Sequence, residues 1–419
     1  MPTVVQLAGL GALSLYLISA WATDLSYRFL GTKPYISVVT GILVFLCFII
    51  SGKALAALRT TTGKLWFALG IWMLLSIVFS RWRGGSFALM KEYFPKQHLL
   101  PLYMAAFSVT VSNCRTLLRA ITVGGFFMLA SCILFGAADE SGRFTIPTNM
   151  WLNGPNDLAM QILLFLGFAL FWIRQSNRVG RVAGTILMAG GFYFMPKTGS
   201  RGGMISALVL VALWIFFSKK RIQMIAAAVT VGAAVLLVTP MQTIQRLTTL
   251  TADEQTANTE EQQKAVSSQL ERQHLLQAAL GYMVRYPVFG IGPGEFPDAI
   301  WEDGKKEGVH EASLGPHNTY AQIGAECGIP GLAMFALAIL ATIRSSYRLY
   351  RATADKPDQT LVAAVSFSCF LLMVAFAIDL FFHHVAYSGN IGVILGVWIC
   401  VENATTRAGI EIPAKEQSA

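Results

Sequence analysis

Long apolar segments alternate with short polar turns along most of the chain. Crossing the hydrocarbon core of a bilayer takes about 20 apolar residues in a helix, so the pattern predicts about twelve transmembrane helices. The expected fold class is therefore an all-α polytopic membrane protein. The predicted segments are Val4–Ala22, Ile36–Ile50, Leu65–Phe79, Leu99–Ser112, Leu117–Phe135, Leu158–Ile173, Val182–Met195, Met204–Phe217, Ile222–Val238, Ile329–Ile343, Val362–Phe382 and Ile391–Val401.

One polar connection is much longer than the others and divides the chain into three parts. Residues 1–238 hold the first nine predicted helices, residues 239–328 form the long loop, and residues 329–419 hold the last three helices and a cytoplasmic tail. Loops longer than about 15 residues are usually functional or disordered. We expect this loop to face the periplasm and to carry function.

The long loop has three kinds of sequence. Thr251–Gln269 is rich in Thr, Glu, Gln and Ala and is expected to be mobile. Leu270–Tyr286 has apolar residues at helical spacing, which predicts an amphipathic helix on the membrane surface or packed over the bundle. The glycines and prolines of Pro287–Phe296 predict turns and close backbone approach.

Charge supports the membrane interpretation and orients the chain. Charged residues make up 13% of the 419 residues, against about a quarter in soluble domains. The net charge of +9 reflects basic residues on the cytoplasmic side, not nucleic-acid binding. With both termini inside, basic residues recur at every inner turn: Lys53, Arg59, Lys64, Arg115, Arg119, Arg174, Arg178, Arg181, Lys219, Lys220, Arg221, Arg344, Arg348, Arg351 and Lys356.

Membrane proteins concentrate basic residues on the cytoplasmic side and have few on the outer side. Some cations of this chain nevertheless lie on the predicted outer side. Arg201 follows Ser200 in a glycine-rich turn, after Lys197, and the turn leads into the segment Met204–Phe217. A helix N-terminus binds anions through free N–H groups, and an arginine adds a fork that matches phosphate oxygens. We therefore expect Arg201 to bind a lipid phosphate or diphosphate, with headgroup anchoring as the alternative. Arg272 is a second candidate.

Four further outer cations precede the segment Leu99–Ser112, and ordinary solvated charge is the alternative interpretation for them. If they are functional, they would meet phosphates of an acceptor. They are Arg81, Arg83, Lys91 and Lys96.

His317 is the candidate for proton transfer. It lies in the run Gly315–Gly331, where the long loop re-enters the membrane. A neutral imidazole can take the proton of an attacking hydroxyl, although a lone histidine is more often structural. His383 and His384 could line the same cavity and are left unassigned. Asn318 and Tyr320, together with Lys197 and Ser200, are possible supporting or acceptor-binding residues.

Metal and cofactor sites are not indicated. The chain has no DxD pair and no outer cluster of His or Cys at metal-ligand spacing, so no metal and no cofactor are expected. The cysteines show no CxxC spacing and suggest no disulfide framework. A leaving diphosphate would then need cationic side chains, and Arg201 and Arg272 are the best candidates.

These motifs, in this order, resemble the signature of the O-antigen ligase and polymerase superfamily. The resemblance covers roughly residues 140–335, and the large late periplasmic loop also fits it. The matching residues are His317-Asn318 with Gly324, Gly328 and Gly331, Arg272 with Pro287–Phe296, the turn Gly199–Gly202, and Gly154–Ala159.

The resemblance implies a GT-C-like fold in the bacterial inner membrane, with the active site facing the periplasm. It implies inverting, metal-independent transfer of O-antigen from undecaprenyl diphosphate to a sugar hydroxyl of lipid A–core, among membrane lipids. His317 would be the general base, and Arg201 and Arg272 would hold the diphosphate. An O-antigen polymerase or a protein O-oligosaccharyltransferase would share this donor. A transporter or flippase is the rival from another class, but it would place ionisable residues at mid-membrane.

Overall fold

The computed structural model describes residues 2–410 apart from 31–34, 140, 149–151, 175–177, 239–259 and 309–312. Helices dominate the described part, and a small antiparallel hairpin pairs β1 (Ala137–Ala138) with β2 (Phe144–Thr145). The α-helices are α1 (Val4–Trp21), α2 (Thr23–Leu30), α3 (Ile36–Ile50), α4 (Thr61–Val78), α5 (Arg83–Tyr93), α6 (Leu100–Phe107), α7 (Val111–Phe135), α8 (Pro155–Arg174), α9 (Arg178–Lys197), α10 (Arg201–Phe216), α11 (Arg221–Val238), α12 (Glu260–Arg285), α13 (Phe296–Glu307), α14 (Thr319–Thr353), α15 (Thr360–Asp379) and α16 (Gly389–Arg407).

Six helical stretches of the described part are long and apolar enough to cross a membrane, by length and composition. They are α1, α4, α7, α8, α14 and Pro357–Asp379, which contains α15. Shorter apolar helices are α3, α10 and Arg221–Ala233 within α11. The chain is thus an all-α, multi-pass membrane protein, while the count of about twelve spans and the GT-C-like arrangement stay predictions.

The predicted segment Leu99–Ser112 differs most from the observed elements. It is the second half of a helical run in which α5 continues through a π-helical turn, Phe94–His98, into α6. The eight residues of α6 are too short to cross a bilayer alone, since they rise about 12 Å. The sequence pattern placed the start of the segment at Leu99 because the residues just before it are polar. Those residues form a helical turn, so the helix continues through them.

Helix α8 is the centre of the bundle. Pro155 at its start has the φ of a helix without needing an N–H partner, and Asp157 in its first turn faces the positive helix end. From Leu158 to Trp172 every residue is buried. A helix that is apolar on all sides belongs in the interior, and α7, α9, α10 and α15 surround it.

Glycines on α9 let that helix approach α8 closely. A Cβ on Gly184 would lie 2.7 Å from the carbonyl oxygen of Ala169, and one on Gly191 would lie 2.6 Å from the side chain of Leu166. Lipid tails give helices no hydrophobic reason to associate, so such close packing between small and large residues supplies the contact. Apolar side chains of α3, such as Val38 and Ile42, are exposed instead and face the lipid.

The long loop contains two helices in its described part. Leu275, Ala279 and Tyr282 of α12 are buried, with spacing typical of an amphipathic helix, and α12 packs on α14. The amphipathic helix predicted at Leu270–Tyr286 is therefore confirmed, and it lies over the bundle. Of the stretch expected to be mobile, Glu260–Gln269 instead forms the first part of α12. Residues 251–259 lie outside the described residues, as do 239–250 and 309–312 of the loop.

A glycine loop, Pro287–Glu295, joins α12 to α13 and pairs with α14. The N–H groups of Ile291 and Gly292 donate to the carbonyl groups of Ala325 (2.9 Å) and Glu326 (3.0 Å). Helix α14 starts at Thr319, ten residues before the predicted segment, and its break is at Gly328 (φ 72°). A Cβ on Gly328 would lie 2.2 Å from the carbonyl oxygen of Val288. The predicted close backbone approach is thus observed.

Gly290→Ala is expected to lower stability by at least about 2 kcal/mol. Gly290 has φ +68°, and a Cβ there would lie 2.3 Å from the backbone of Glu326. The measurement is the thermal midpoint of the detergent-solubilised protein. Gly281→Ala is the matched control, because nothing lies within 4 Å of that Cβ and alanine favours a helix by about 1 kcal/mol. An equal or higher midpoint for Gly290→Ala would contradict the assigned role of this glycine.

Candidate functional site

The turn before α10 has the geometry expected of an anion-binding helix start. Gly199 has φ +59°, and Ser200 is the N-cap, whose hydroxyl accepts from the N–H of Gly203 at 3.3 Å. Half-buried Arg201 is the first residue of α10. A Cβ on Gly202 would lie 2.4 Å from Cβ of Phe382. The start of α10 therefore lies directly against the turn that follows α15.

Arg143, next to β2, is a cation at this turn that sequence reasoning missed. Its Nε donates to the carbonyl of Thr198 (2.9 Å), and a terminal nitrogen donates to Oδ1 of Asn156 (2.7 Å). Arg143 thus ties the turn before α10 to the start of α8, within the Gly154–Ala159 motif. Its partners are far away in sequence, so only the hairpin fold brings it here.

Buried polar residues follow at the end of α15. Nδ1 of His383 is hydrogen-bonded to Oδ2 of Asp379 at 2.8 Å, and the hydroxyl of Ser206 donates to Oδ1 at 3.3 Å. His383 and Asp379 are 4% and 0% exposed. Asp157 of α8 lies within electrostatic range of His383. The aspartate fixes the orientation of the imidazole, as buried carboxylates commonly do for a histidine.

His317 meets His384 at the mouth of this cluster. The two ring centroids are 4.7 Å apart, at an interplanar angle of 82°. His317 has φ +49°, and no other non-glycine residue of the described part has a positive φ. Such strain is concentrated at functional sites. It turns the chain so that the imidazole stands beside the start of α14.

Arg272 on α12 brings a positive charge to these rings. Burial and the nearby charges of His384 and Arg272 lower the pKa of His317 to about 3. His384 is exposed at its edge, but the protein atoms packed around its ring and the charges of His383 and Arg272 lower its pKa to about 4. Both imidazoles are therefore neutral at pH 7 and each keeps a nitrogen that can accept a proton.

Hydrogen bonds join the start of α14 to the turn after α15. The N–H of Thr319 donates to the carbonyl of Leu380 (2.8 Å), and its hydroxyl donates to the carbonyl of His383 (2.7 Å) while accepting from the N–H of Val385 (3.1 Å). His317 and the histidine pair are thus held by one residue that lies between them.

The supporting residues named from the sequence have mainly structural contacts. Asn318 caps α14 by accepting from the N–H of Ala321 (3.0 Å). The hydroxyl of Tyr320 donates to the carbonyl of Ala377 (2.9 Å), which joins α14 to α15. The ammonium of Lys197 donates to the hydroxyl of Tyr193 (2.7 Å).

The four cations before Leu99 are Arg81, Arg83, Lys91 and Lys96, and the contacts described for them are with residues outside the histidine cluster. The guanidinium of Arg81 donates two hydrogen bonds to Asp303, at 2.8 and 2.9 Å, and Lys96 pairs with Glu92. Arg83 and Lys91 are exposed on α5. Because Asp303 already neutralises Arg81, this guanidinium is a poor partner for a substrate phosphate. The acceptor-binding role of the group stays a prediction.

Residues 183–336 match the family model described as O-Antigen ligase. The match covers a little over a third of the chain. It runs from α9 to the first half of α14 and contains Arg201, Arg272 and His317, so the family resemblance of the sequence is confirmed. Arg143, Asp379 and His384 lie outside the matched segment. No curated protein matches the chain by sequence.

Thr319→Val is expected to loosen the histidine pair without changing side-chain shape. It leaves the carbonyl of His383 and the N–H of Val385 without the hydroxyl, which costs about 1–3 kcal/mol. Hydrogen exchange of residues 380–386 should become faster, and the thermal midpoint should fall. Thr185→Val, on the exposed side of α9, is the control and should change neither. Unchanged exchange at 380–386 in Thr319→Val would show that the hydroxyl does not hold this turn.

Proposed function

We propose that this protein is an O-antigen ligase that transfers a glycan from undecaprenyl diphosphate to a sugar hydroxyl of lipid A–core. The transfer would occur at the periplasmic face of the inner membrane, without a metal and with inversion at the anomeric carbon. The observation that carries the proposal is the meeting of a neutral, strained His317 with Arg272 inside the segment that matches the O-antigen ligase family model.

His317 is the general base of this proposal. A base must be unprotonated at the working pH and near the hydroxyl it serves. The low pKa of His317 in the free protein meets the first requirement. The partial exposure of its ring leaves room for an acceptor hydroxyl to approach. A bound diphosphate brings negative charge beside Arg272 and His317. This raises the pKa of the imidazole towards neutrality, where proton transfer is most efficient.

Arg201 and Arg272 receive the diphosphate. The free N–H groups at the start of α10 add a partial positive charge on the same side as Arg201. Arg143 holds the turn from behind through Thr198, so the cationic surface is fixed before the donor arrives. Preorganised charge of this kind stabilises a leaving group more than mobile charge does, because it needs no reorganisation during the reaction.

The reaction then balances without any co-reactant. The acceptor oxygen forms a bond to the anomeric carbon as its proton passes to His317, and the bond from that carbon to the diphosphate oxygen breaks with its electron pair. The products are the glycosylated acceptor and undecaprenyl diphosphate, whose added charge the two arginines offset. The proton leaves His317 to solvent, which restores the base for the next turnover.

The acceptor separates this proposal from its nearest rivals. Purified protein in lipid nanodiscs would receive labelled undecaprenyl-diphosphate glycan together with lipid A–core, a second lipid-linked glycan, or a pilin-like protein. Label on lipid A–core supports the ligase. Label on the second lipid-linked glycan or on the protein would replace it with a polymerase or a protein O-oligosaccharyltransferase. Movement of intact donor across the membrane without transfer would favour a flippase.

His317→Ala is expected to reduce the transfer rate by about 10²- to 10⁴-fold, because the attacking hydroxyl loses its proton acceptor. The rate is measured in the nanodisc assay with saturating donor. His274→Ala is the matched control, since His274 is exposed on α12, and it should keep the full rate. Transfer at the control rate by a well-folded His317→Ala protein would remove His317 from the chemistry.

The pH dependence should differ between the free enzyme and the donor complex. In the free enzyme the pKa of His317 is about 3, so the acid fall in kcat/KM should lie below about pH 5. Bound diphosphate stabilises the imidazolium, so the acid fall in kcat should lie at higher pH. His384 becomes positive at low pH and then disfavours protonation of His317. His384→Gln removes that charge and should therefore move the acid fall in kcat/KM to higher pH. A fall in kcat/KM near pH 6.5, the ordinary histidine value, would contradict the assignment.

A further inference from the structure

A cleft lies between the end of α4 and α13, apart from the histidine cluster. Its volume is about 280 Å³, and its walls are formed by Arg81, Trp82, Glu295, Asp298, Ala299 and Glu302. Ligand pockets for larger molecules start near 300 Å³, so the cleft suits one small unit such as a single sugar ring.

Trp82 forms an open aromatic wall of the cleft. Its side chain is 60% exposed, yet the position of the indole is fixed. A Cβ on Gly84 would lie 3.1 Å from Nε1 of the indole, and one on Gly85 would lie 2.4 Å from Cε3. The ring therefore packs against the bare backbone of these glycines. Covering one face in this way leaves the other free to receive an apolar surface.

Glu295 stands next to the indole and is held from behind. It is 3% exposed, and its Oε1 accepts from the hydroxyl of Ser86 at 3.2 Å. The same Oε1 would lie 2.7 Å from a Cβ on Gly85. Glu295 also lines the cleft. Burial raises the pKa of this carboxyl to about 7, so it can both accept and donate near neutral pH.

The charge of the cleft excludes an anionic ligand. Arg81 is its one cation. Asp303 accepts hydrogen bonds from two nitrogens of that guanidinium, and a carboxylate oxygen of Glu302 lies 3.6 Å from it. Asp298, Glu302 and Glu295 also line the cleft, so its acidic side chains outnumber its single cation. A phosphate or diphosphate would be repelled here. A metal is not indicated either, because the described residues contain no group of three or more metal-ligating side chains.

We infer that this cleft, which we call the Trp82 cleft, binds a neutral or amino sugar of a glycan substrate. An aromatic face beside carboxylates suits a sugar ring, because the ring offers C–H groups on one face and hydroxyl donors at its edge. The indole covers the apolar face, and the carboxylates accept charge-assisted hydrogen bonds from the hydroxyls. The inference rests on the proposed function for the identity of the glycan.

Helix α12 gives the distance from the Trp82 cleft to the reacting centre. Tyr282 donates from its hydroxyl to Asp303 at 2.8 Å, and its ring lies 5.9 Å from the guanidinium of Arg81. Arg272 lies ten residues earlier on the same helix, which corresponds to about 15 Å along its axis. The bound sugar is therefore not the one that reacts, but a later unit of the donor or the acceptor glycan.

Trp82→Ala and Asp298→Asn are expected to weaken glycan binding, roughly tenfold for the pair together. Binding is measured by calorimetry on the full-length protein in nanodiscs, with free oligosaccharide released from the donor or from the lipid A–core and carrying no phosphate. Trp301→Ala is the matched control, because Trp301 is also exposed on α13 but does not line the cleft. It should bind like the wild-type protein.

Transfer kinetics then identify which glycan occupies the cleft. A rise in KM for the donor alone, with kcat kept, assigns the donor glycan, and a rise for the acceptor alone assigns the acceptor. Equal oligosaccharide binding by wild-type and Trp82→Ala/Asp298→Asn protein overturns the inference, and would leave Trp82 as a membrane-interface anchor. If wild-type protein binds oligosaccharide through the cleft but transfers no glycan, the proposed function fails while the sugar site stands.

Discussion

The pairing of the glycine loop with the first half of α14 is the constraint on which the positions of both the histidine cluster and the Trp82 cleft depend. The backbone of residues 291–292 bonds to residues 325–326, and both oxygens of the Glu326 carboxylate accept from the N–H groups of Gly294 and Phe296. This is possible only because Gly328 interrupts the helix at that point. Of the two paired segments, the first half of α14 begins just after His317, and the glycine loop ends at Glu295 in the Trp82 cleft.

Burial and charge act in the same direction at the histidines. Removing an imidazole from water disfavours its protonated form, and a neighbouring guanidinium disfavours it further. In the free protein the guanidinium of Arg272 therefore stands near two neutral rings, an arrangement that would suit the anion of the proposed function. The buried pair of Asp379 and His383 does not compete for that anion, because each partner already satisfies the other.

Local sequence was sufficient to propose the candidate residues whose backbone setting follows from their immediate neighbours. Arg201 follows a capping serine in a glycine turn, and His317 and Arg272 lie in motifs on either side of a glycine-rich loop. The amphipathic pattern predicted α12 for the same reason. These features depend on backbone conformation within a few residues, which composition and spacing encode.

Other parts of the site depend on contacts between distant segments, and no spacing rule encodes those. Arg143 reaches Thr198 only through the β-hairpin, and His384 reaches His317 only because Thr319 joins two helices. The indole of Trp82 gains its neighbour Glu295 from the other side of the long loop. The wrong boundary predicted for the segment that contains α6 has a different cause. Polarity placed that boundary at Leu99, while the backbone is helical from Arg83 onward.

Helix α12 connects the histidine cluster to the Trp82 cleft as one rigid element. Arg272 and Tyr282 belong to one uninterrupted helix of 26 residues, which is anchored on the bundle by Leu275 and Ala279 between them. A tilt about this anchor would move the guanidinium and the phenol in opposite directions, as the two arms of a lever move about a pivot. If a diphosphate binds at Arg272 and a sugar binds near Tyr282, the rigid helix would couple the two binding events.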